Sequence, residues 1–97
     1  MRKLSTILAL QDDDKLRFMC PGCKSFHAIH VNQGKSPRWD WNGDITKPTF
    51  TPSINVTWDD GDEKYKCHSY VTNGNIQFLN DCTHDLVGKT VPLPPID

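Results

Sequence analysis

Two cysteines on a Pro-Gly turn, Cys20-Pro21-Gly22-Cys23, restrict this chain more than any other stretch. Short apolar runs flank them: Lys15-Leu16-Arg17-Phe18-Met19 leads in and Phe26-His27-Ala28-Ile29-His30-Val31 leads out. In a reducing compartment a C-x-x-C turn is half of a tetrahedral zinc site, holding two thiolates at about 2.3 Å from one cation. Proline fixes φ at the turn, and glycine removes the Cβ that would block the chain reversal. A redox reading is weaker, because a thioredoxin-like motif needs a helix N-terminus to lower the thiol pKa. Here the motif falls between two β-like runs.

The turn supplies two of four ligands, and the candidates for the others are Cys67, Cys82, His27, His30, His68 and His84. The simplest set is Cys20, Cys23, Cys67 and Cys82, four thiolates that close the coordination sphere. His27 is the rival fourth ligand within the same turn-and-strand unit, with His68 and His84 as further choices. Taken singly, each histidine is also an ordinary polar surface residue. The metal matters because the chain has only 97 residues, 36% of them hydrophobic. A domain of this size buries roughly 60–70% of its unfolded surface. A structural zinc contributes about 10–16 kcal/mol against a whole-domain stability of about 5–15 kcal/mol. The ion can therefore decide whether the chain folds.

From Lys15 onward the sequence reads as short strands and turns, whereas periodicity does not separate strand from helix over Met1–Gln11. Residues 1–14 are expected to be loosely ordered. Arg38-Trp39-Asp40-Trp41 reads as a strand before an Asn42-Gly43 turn. Pro48 and Pro52 each remove a backbone donor, so Lys47–Ile54 is expected to be extended but not a central strand. Lys64–Thr72 and Asn75–Leu79 form a hairpin about Asn73-Gly74, which favours a type I′ turn. Pairing Thr72 with Asn75 sets Val71 opposite Ile76 and Ser69 opposite Phe78. If the second arm continues, Cys82 joins Cys67 on one face, while His68 and Asp81 share the other. Thr83–Gly88 reads as one helical turn with a glycine stop, and residues 91–97 as an extended tail. The expected fold is mostly β: one small zinc-stapled antiparallel domain, with a zinc-ribbon-like knuckle, a β-hairpin and little helix.

The formal net charge of −1, from 11 basic and 12 acidic residues, disfavours a nucleic-acid-binding ribbon. Asp12-Asp13-Asp14 and Asp59-Asp60-Gly61-Asp62-Glu63 read as solvated loops. Ile7-Leu8-Ala9-Leu10 is too short for a signal-peptide core, and no run approaches the ~18 apolar residues of a membrane span. A cytoplasmic location follows, which sets aside both disulfide pairing of the four cysteines and use of the Asn55-Val56-Thr57 glycosylation pattern.

One further constellation is chemical. A histidine oriented by a carboxylate can take a proton from a serine. Ser53 would be the nucleophile, His68 the base and Asp81 the orienting group, with His84 as alternative base. The plain alternative is that these are polar strand positions.

The combination of Cys20-Pro21-Gly22-Cys23, His27-Ala28-Ile29, Lys47-Pro48-Thr49-Phe50-Thr51-Pro52-Ser53-Ile54, Cys67-His68-Ser69-Tyr70-Val71, Asn73-Gly74-Asn75-Ile76-Gln77-Phe78-Leu79, Asp81-Cys82-Thr83-His84 and Gly88-Lys89-Thr90-Val91 resembles a family of small phage and prophage proteins. They are often labelled ammonia monooxygenase, a name that suits a far larger membrane metalloprotein. That family is similar to the small peptidase components of bacterial ubiquitin-like conjugation operons. The resemblance implies a serine-type hydrolase with Ser53 as nucleophile, His68 or His84 as base, and Cys20, Cys23 and Cys67 as zinc ligands. Its expected partner is a host or phage protein or peptide. The competing expectation is a non-catalytic adaptor that meets a host protein through Trp39, Trp41, Trp58 and Tyr70.

Overall fold

The computed structural model describes residues 1–96, and among these it is all strand, with two antiparallel sheets and no helix. The first sheet is a meander of β1 (Arg2–Lys3), β2 (Ala9–Leu10), β3 (Lys15–Cys20) and β4 (Ser25–His30). The second is a meander of β5 (Asp40–Trp41), β6 (Phe50–Asp60), β7 (Glu63–Thr72), β8 (Asn75–Phe78) and β9 (Thr90–Pro92). No helix among the described residues is long and apolar enough to cross a membrane.

Alternation decides which faces meet. Leu16, Phe18 and Cys20 point inward from β3, and Ile76 and Phe78 from β8, with more exposed residues between them. The core is Leu16, Phe18 and Ile29 from one sheet, with Leu8 just before β2, against Phe50, Ile54, Val71, Ile76 and Phe78 from the other. Phe18 stacks on Phe50 across the interface at 6.2 Å between ring centroids. The chain passes between sheets at Trp39, whose amide donates to the His30 carbonyl just before Asp40 pairs with Thr51.

The hairpin register is the expected one: Thr72 with Asn75, Val71 with Ile76, Ser69 with Phe78. Asn73 and Gly74 take the positive φ values, 51° and 80°, that a type I′ turn demands. At Gly74 an added Cβ would also lie 3.3 Å from the Lys47 backbone.

Several local expectations are corrected. β8 stops at Phe78, so the hairpin arm does not carry Cys82 onto the Cys67 face. Leu79 N–H still donates to the His68 carbonyl, but the next link is Thr83 N–H to Lys66. Asn80, Asp81 and Cys82 therefore bulge opposite Cys67 alone. Thr83–Gly88 forms consecutive turns, not a helix, with Val87 N–H on the His84 carbonyl and Lys89 N–H on that of Leu86. Pro52 does lie within β6, between β5 and β7, where the register jumps between Phe50 and Ile54. A bulge is where an internal strand tolerates proline.

The ends of the chain are more integrated than composition suggests. Leu8 and Ala9 are fully buried, and the Leu4 and Ser5 amides both donate to the Leu8 carbonyl. Residues 90–92 of the expected tail pair with β8, and Leu93 and Ile96 are buried. The tail reading extends to residue 97, which lies outside the described residues.

Leu8→Ala is expected to lower unfolding free energy by about 2–5 kcal/mol, the usual cost of truncating a buried leucine. Chemical denaturation measures it, and a loss below about 0.5 kcal/mol would place Leu8 outside the core.

Candidate active site and metal centre

Two groups of side chains stand out, and β7 contributes to both. Its alternation sends Cys67 inward and His68 outward.

On the inner side, ligand atoms of Cys20, Cys23, Cys67 and His84 all lie within 4.8 Å of one another. Cys20 ends β3, and Cys23 sits in the turn that follows. The Lys24 amide donates to the Cys20 carbonyl at 2.8 Å, and the Cys23 amide donates to Cys20 Sγ at 3.4 Å, so the backbone curls around that sulfur. Cys20 Sγ and Cys67 Sγ are 3.8 Å apart. Two thiolates at about 2.3 Å from a tetrahedral ion stand about 3.8 Å apart, so the spacing suits one shared cation. His84 comes from the turns after β8, its ring edge-on to Phe78 at 4.4 Å. The ring lies so close to Gly22 that an added Cβ there would collide with it. Glycine at position 22 is thus required by the His84 ring and not by the chain reversal, in which the positive φ falls on Lys24 instead, at 57°. The Leu86 amide donates to His84 Nδ1 at 3.2 Å, while Nε2 is buried without a hydrogen-bond partner.

The charge balance of the sulfurs makes the same point. The hydrogen bond from Cys67 draws Cys20 down to about 4. Burial, reinforced by the charge on Cys20, pushes Cys23 up to about 12. Cys67, donor in that hydrogen bond, is pushed up as well. Three crowded thiols alone hold one negative charge, and a cation is what lets all three ionise together. Three thiolates and an imidazole fit a borderline-soft ion in tetrahedral geometry. The four residues are close enough to bind a metal ion.

Two residues expected as ligands fall outside this group. Cys82 is buried, but its Sγ donates to the His68 carbonyl at 3.1 Å and accepts the His68 amide at 3.3 Å. The early end of β8 accounts for this, because it turns Cys82 toward the β7 backbone. His27 is buried edge-on against Phe18 and favours the Cys20 thiolate from outside the four-residue group. All four cysteines are free thiols.

On the outer side, His68 Nε2 is 2.8 Å from Ser53 Oγ, and His68 Nδ1 is 3.1 Å from Asp81 Oδ2. Ser53 reaches this position because Thr51, Pro52 and Ser53 bulge opposite Tyr70 alone. Bulges re-aim side chains in this way. The two extra residues keep Phe50 and Ile54 both facing the core, whereas one extra would have flipped everything beyond it. Trp39 Nε1 donates to the Ser53 carbonyl at 3.2 Å and so holds the bulge. Asp81 Oδ2 also meets Lys66 Nζ at 2.9 Å. That hydrogen bond, with a smaller contribution from His68, holds the Asp81 carboxyl below its ordinary range. His84, the alternative base, lies in the metal group instead. Sequence reasoning missed Trp39 and Lys66 as neighbours of this trio. Lys66 had a usable signal, since it precedes His68 by two residues and shares its face. Trp39 had none. Among the aromatic residues considered for an adaptor surface, Trp58 and Tyr70 are exposed and Trp39 and Trp41 half-buried.

Elemental analysis of purified variants tests the inner group. Alanine at Cys20, Cys23, Cys67 or His84 is expected to lose the bound metal, whereas Cys82→Ala and His27→Ala retain it. Metal kept by His84→Ala but lost by Cys82→Ala would reverse the assignment.

No curated protein and no solved structure matches the chain. A family match does exist, over residues 2–79 of the 97, to the family described as Bacterial ubiquitination-like system serine protease (BubE). The match takes in Cys20, Cys23, Ser53, Cys67 and His68 and ends just before Asp81 and His84. By the extent of that match, the chain belongs to the BubE family.

Proposed function

We propose that the protein is a serine-type hydrolase that cleaves a peptide or protein-conjugate bond, with Ser53 as nucleophile, His68 as general base and Asp81 as its orienting carboxylate. The observation that supports this most directly is the pair of contacts on one imidazole, Nε2 to Ser53 and Nδ1 to Asp81. Their order along the chain carries no weight, because such triads are recognised by geometry. Ser53 Oγ attacks the scissile carbonyl as its proton passes to His68 Nε2. Asp81, kept ionised beside Lys66, accepts the Nδ1 hydrogen bond and stabilises the imidazolium. His68 then returns the proton to the leaving group, and water, activated by the same imidazole, releases the acyl group from Ser53.

Membership of a family of serine proteases from ubiquitination-like systems suggests a bond made to a small protein modifier as the substrate. The partner is then a protein. The triad lies on the outer face of the second sheet, where a macromolecular substrate can reach it. We assign zinc to Cys20, Cys23, Cys67 and His84. When bound, it supplies a closed four-ligand clamp between the sheets, with no position left for substrate. The bacterial cytoplasm, where thiols stay reduced, suits this ligand set.

A fluorophosphonate probe tests the nucleophile. It is expected to label wild-type protein at Ser53 and to leave Ser53→Ala unlabelled, while that variant keeps its metal and its unfolding midpoint. If wild type is never labelled and no ester or peptide is cleaved, the assignment of Ser53 is wrong. Asp81→Asn is expected to slow hydrolysis by about 10²–10⁴-fold without loss of metal, since the imidazole loses its orienting charge. An unchanged rate would remove Asp81 from the triad.

A further inference from the structure

β6 has a neighbour on both sides only at its start. β5 pairs with Phe50 and Thr51 and ends there, whereas β7 runs along the other side to Asp60. From Ser53 to Asp60, the side of β6 away from β7 is an open sheet edge.

The hydrogen-bonding direction of that edge follows from β7. The His68 amide and carbonyl turn toward Leu79 and Cys82, and those of Lys66 toward Thr83. His68 and Lys66 therefore do not exchange backbone bonds with their partners across the ladder, Asn55 and Thr57. In an antiparallel pair the residues opposite such positions also point their N–H and C=O outward. Asn55 and Thr57 thus present donors and acceptors along the open edge, and both residues are exposed. An edge of this kind pairs with another extended chain.

We propose that the open edge of β6 is the substrate-binding strand, taking the acyl-side segment of an extended polypeptide as an added antiparallel strand whose scissile carbonyl ends at Ser53. This rests on the hydrolase reading above and gives it a substrate class. β6 runs from Ser53 toward Asp60, so an antiparallel partner runs toward Ser53 and presents its C-terminal end there. β5 and the Trp39 indole close the edge immediately beyond, so the leaving group must depart from the sheet. The segment recognised is therefore a flexible tail ending at the cleaved bond. Val56 and Trp58, on the inward side of β6, line a cleft of about 280 Å³ with Ser25, Phe26 and His27, which offers room for alternate tail side chains. The far end of the edge carries Asp59 and Asp60, followed by Asp62 and Glu63 in the connecting turn and the start of β7. A tail with basic residues about six positions before the cleaved bond complements that charge.

The test uses peptidyl diphenyl phosphonates, in which Ser53 Oγ bonds to phosphorus, one P–O bond to phenoxide breaks, and His68 passes the serine proton to the departing phenoxide. One, three or five alternating Val and Thr residues, with an N-terminal Lys, precede a mixture of residues at the phosphonate. Labelling of Ser53 is expected to accelerate at least about tenfold from the shortest probe to the longest, which a few net backbone hydrogen bonds can supply. N-methylation of alternate amides should remove the gain, while methylation of the intervening ones keeps it. Thr57→Pro deletes an outward N–H without breaking the ladder to β7, and it should bring the ratio of long-probe to short-probe rate down to about one. Equal rates at every length, or a gain that survives Thr57→Pro and methylation at every position, overturns the proposal. If neither these probes nor the fluorophosphonate label Ser53, the hydrolase reading fails by itself. The edge is then judged in Ser53→Ala protein by amide hydrogen exchange with the five-residue peptide as free acid. Slowed exchange at Asn55 and Thr57 supports the edge, and unchanged exchange there refutes it.

Discussion

The alternation of β7 sets the plan of the whole site. One peptide step carries the chain from Cys67, on the face where the two sheets meet, to His68, on the face open to solvent. Cys67 lies beside Cys20, at the end of a strand in the other sheet, and His84 joins them from beyond β8. A cation held by these residues with Cys23 would tie both sheets to β7 at one point. The backbone that bears the proposed base is therefore anchored by the neighbouring ligand. Cys82 adds a second anchor, with its sulfur bonded to both the amide and the carbonyl of His68.

The strands on either side of β7 depart from regularity in matching ways. On one side, Thr51, Pro52 and Ser53 lie opposite Tyr70 alone. On the other, Asn80, Asp81 and Cys82 lie opposite Cys67 alone, between the bonds Leu79 to His68 and Thr83 to Lys66. Each inserts two residues beyond a regular ladder, an even number, so the core-facing set on each strand is preserved. Each bulge also moves one polar side chain, Ser53 or Asp81, to within hydrogen-bond reach of His68. Flat ladders would hold neighbouring side chains at fixed lattice spacings, and two bulges free both from that spacing.

Much of this was legible in the sequence where local rules act alone. Asn73-Gly74 set the hairpin register, because only a type I′ turn suits a two-residue connection with positive φ at both positions. Alternation along the hairpin's first arm put Cys67 and His68 on opposite faces, and a continued second arm would have set Asp81 on the His68 face. Ser53 joined them by its chemistry alone, since nothing local shows the bulge that brings it to His68. The Cys20-Pro21-Gly22-Cys23 turn announced the metal group. What could not be read depended on tertiary packing. Nothing local shows β8 ending at Phe78, yet that end turns Cys82 from the expected metal face to the backbone of His68. His84 was one of several candidates, and Gly22 offered no hint that its missing side chain makes room for that ring. Residues 1–14 look weakly patterned because β1 and β2 are two residues each, too short for a period to register. What attaches that stretch to the core is the burial of Leu8 and Ala9.

The division of labour between the two faces bears on how so small a domain could be selective. Three sulfurs and an imidazole fill a tetrahedral shell, so the inner group can stabilise the fold but offers substrate no place to bind. The outer trio sits on a sheet surface, with Asp81 exposed and Ser53 half-buried. As the proposed nucleophile, a serine so placed gains little discrimination from enclosure. Under the proposed hydrolase reading, selectivity would come from how the substrate backbone is aligned, and a strand edge that opens at Ser53 would align a chain through its peptide groups, which every extended tail possesses and a folded segment does not. On this view the proline near the start of β6 has a structural purpose. It lies in the bulge where the β5 side gives way to the open edge, and it needs no ladder partner there.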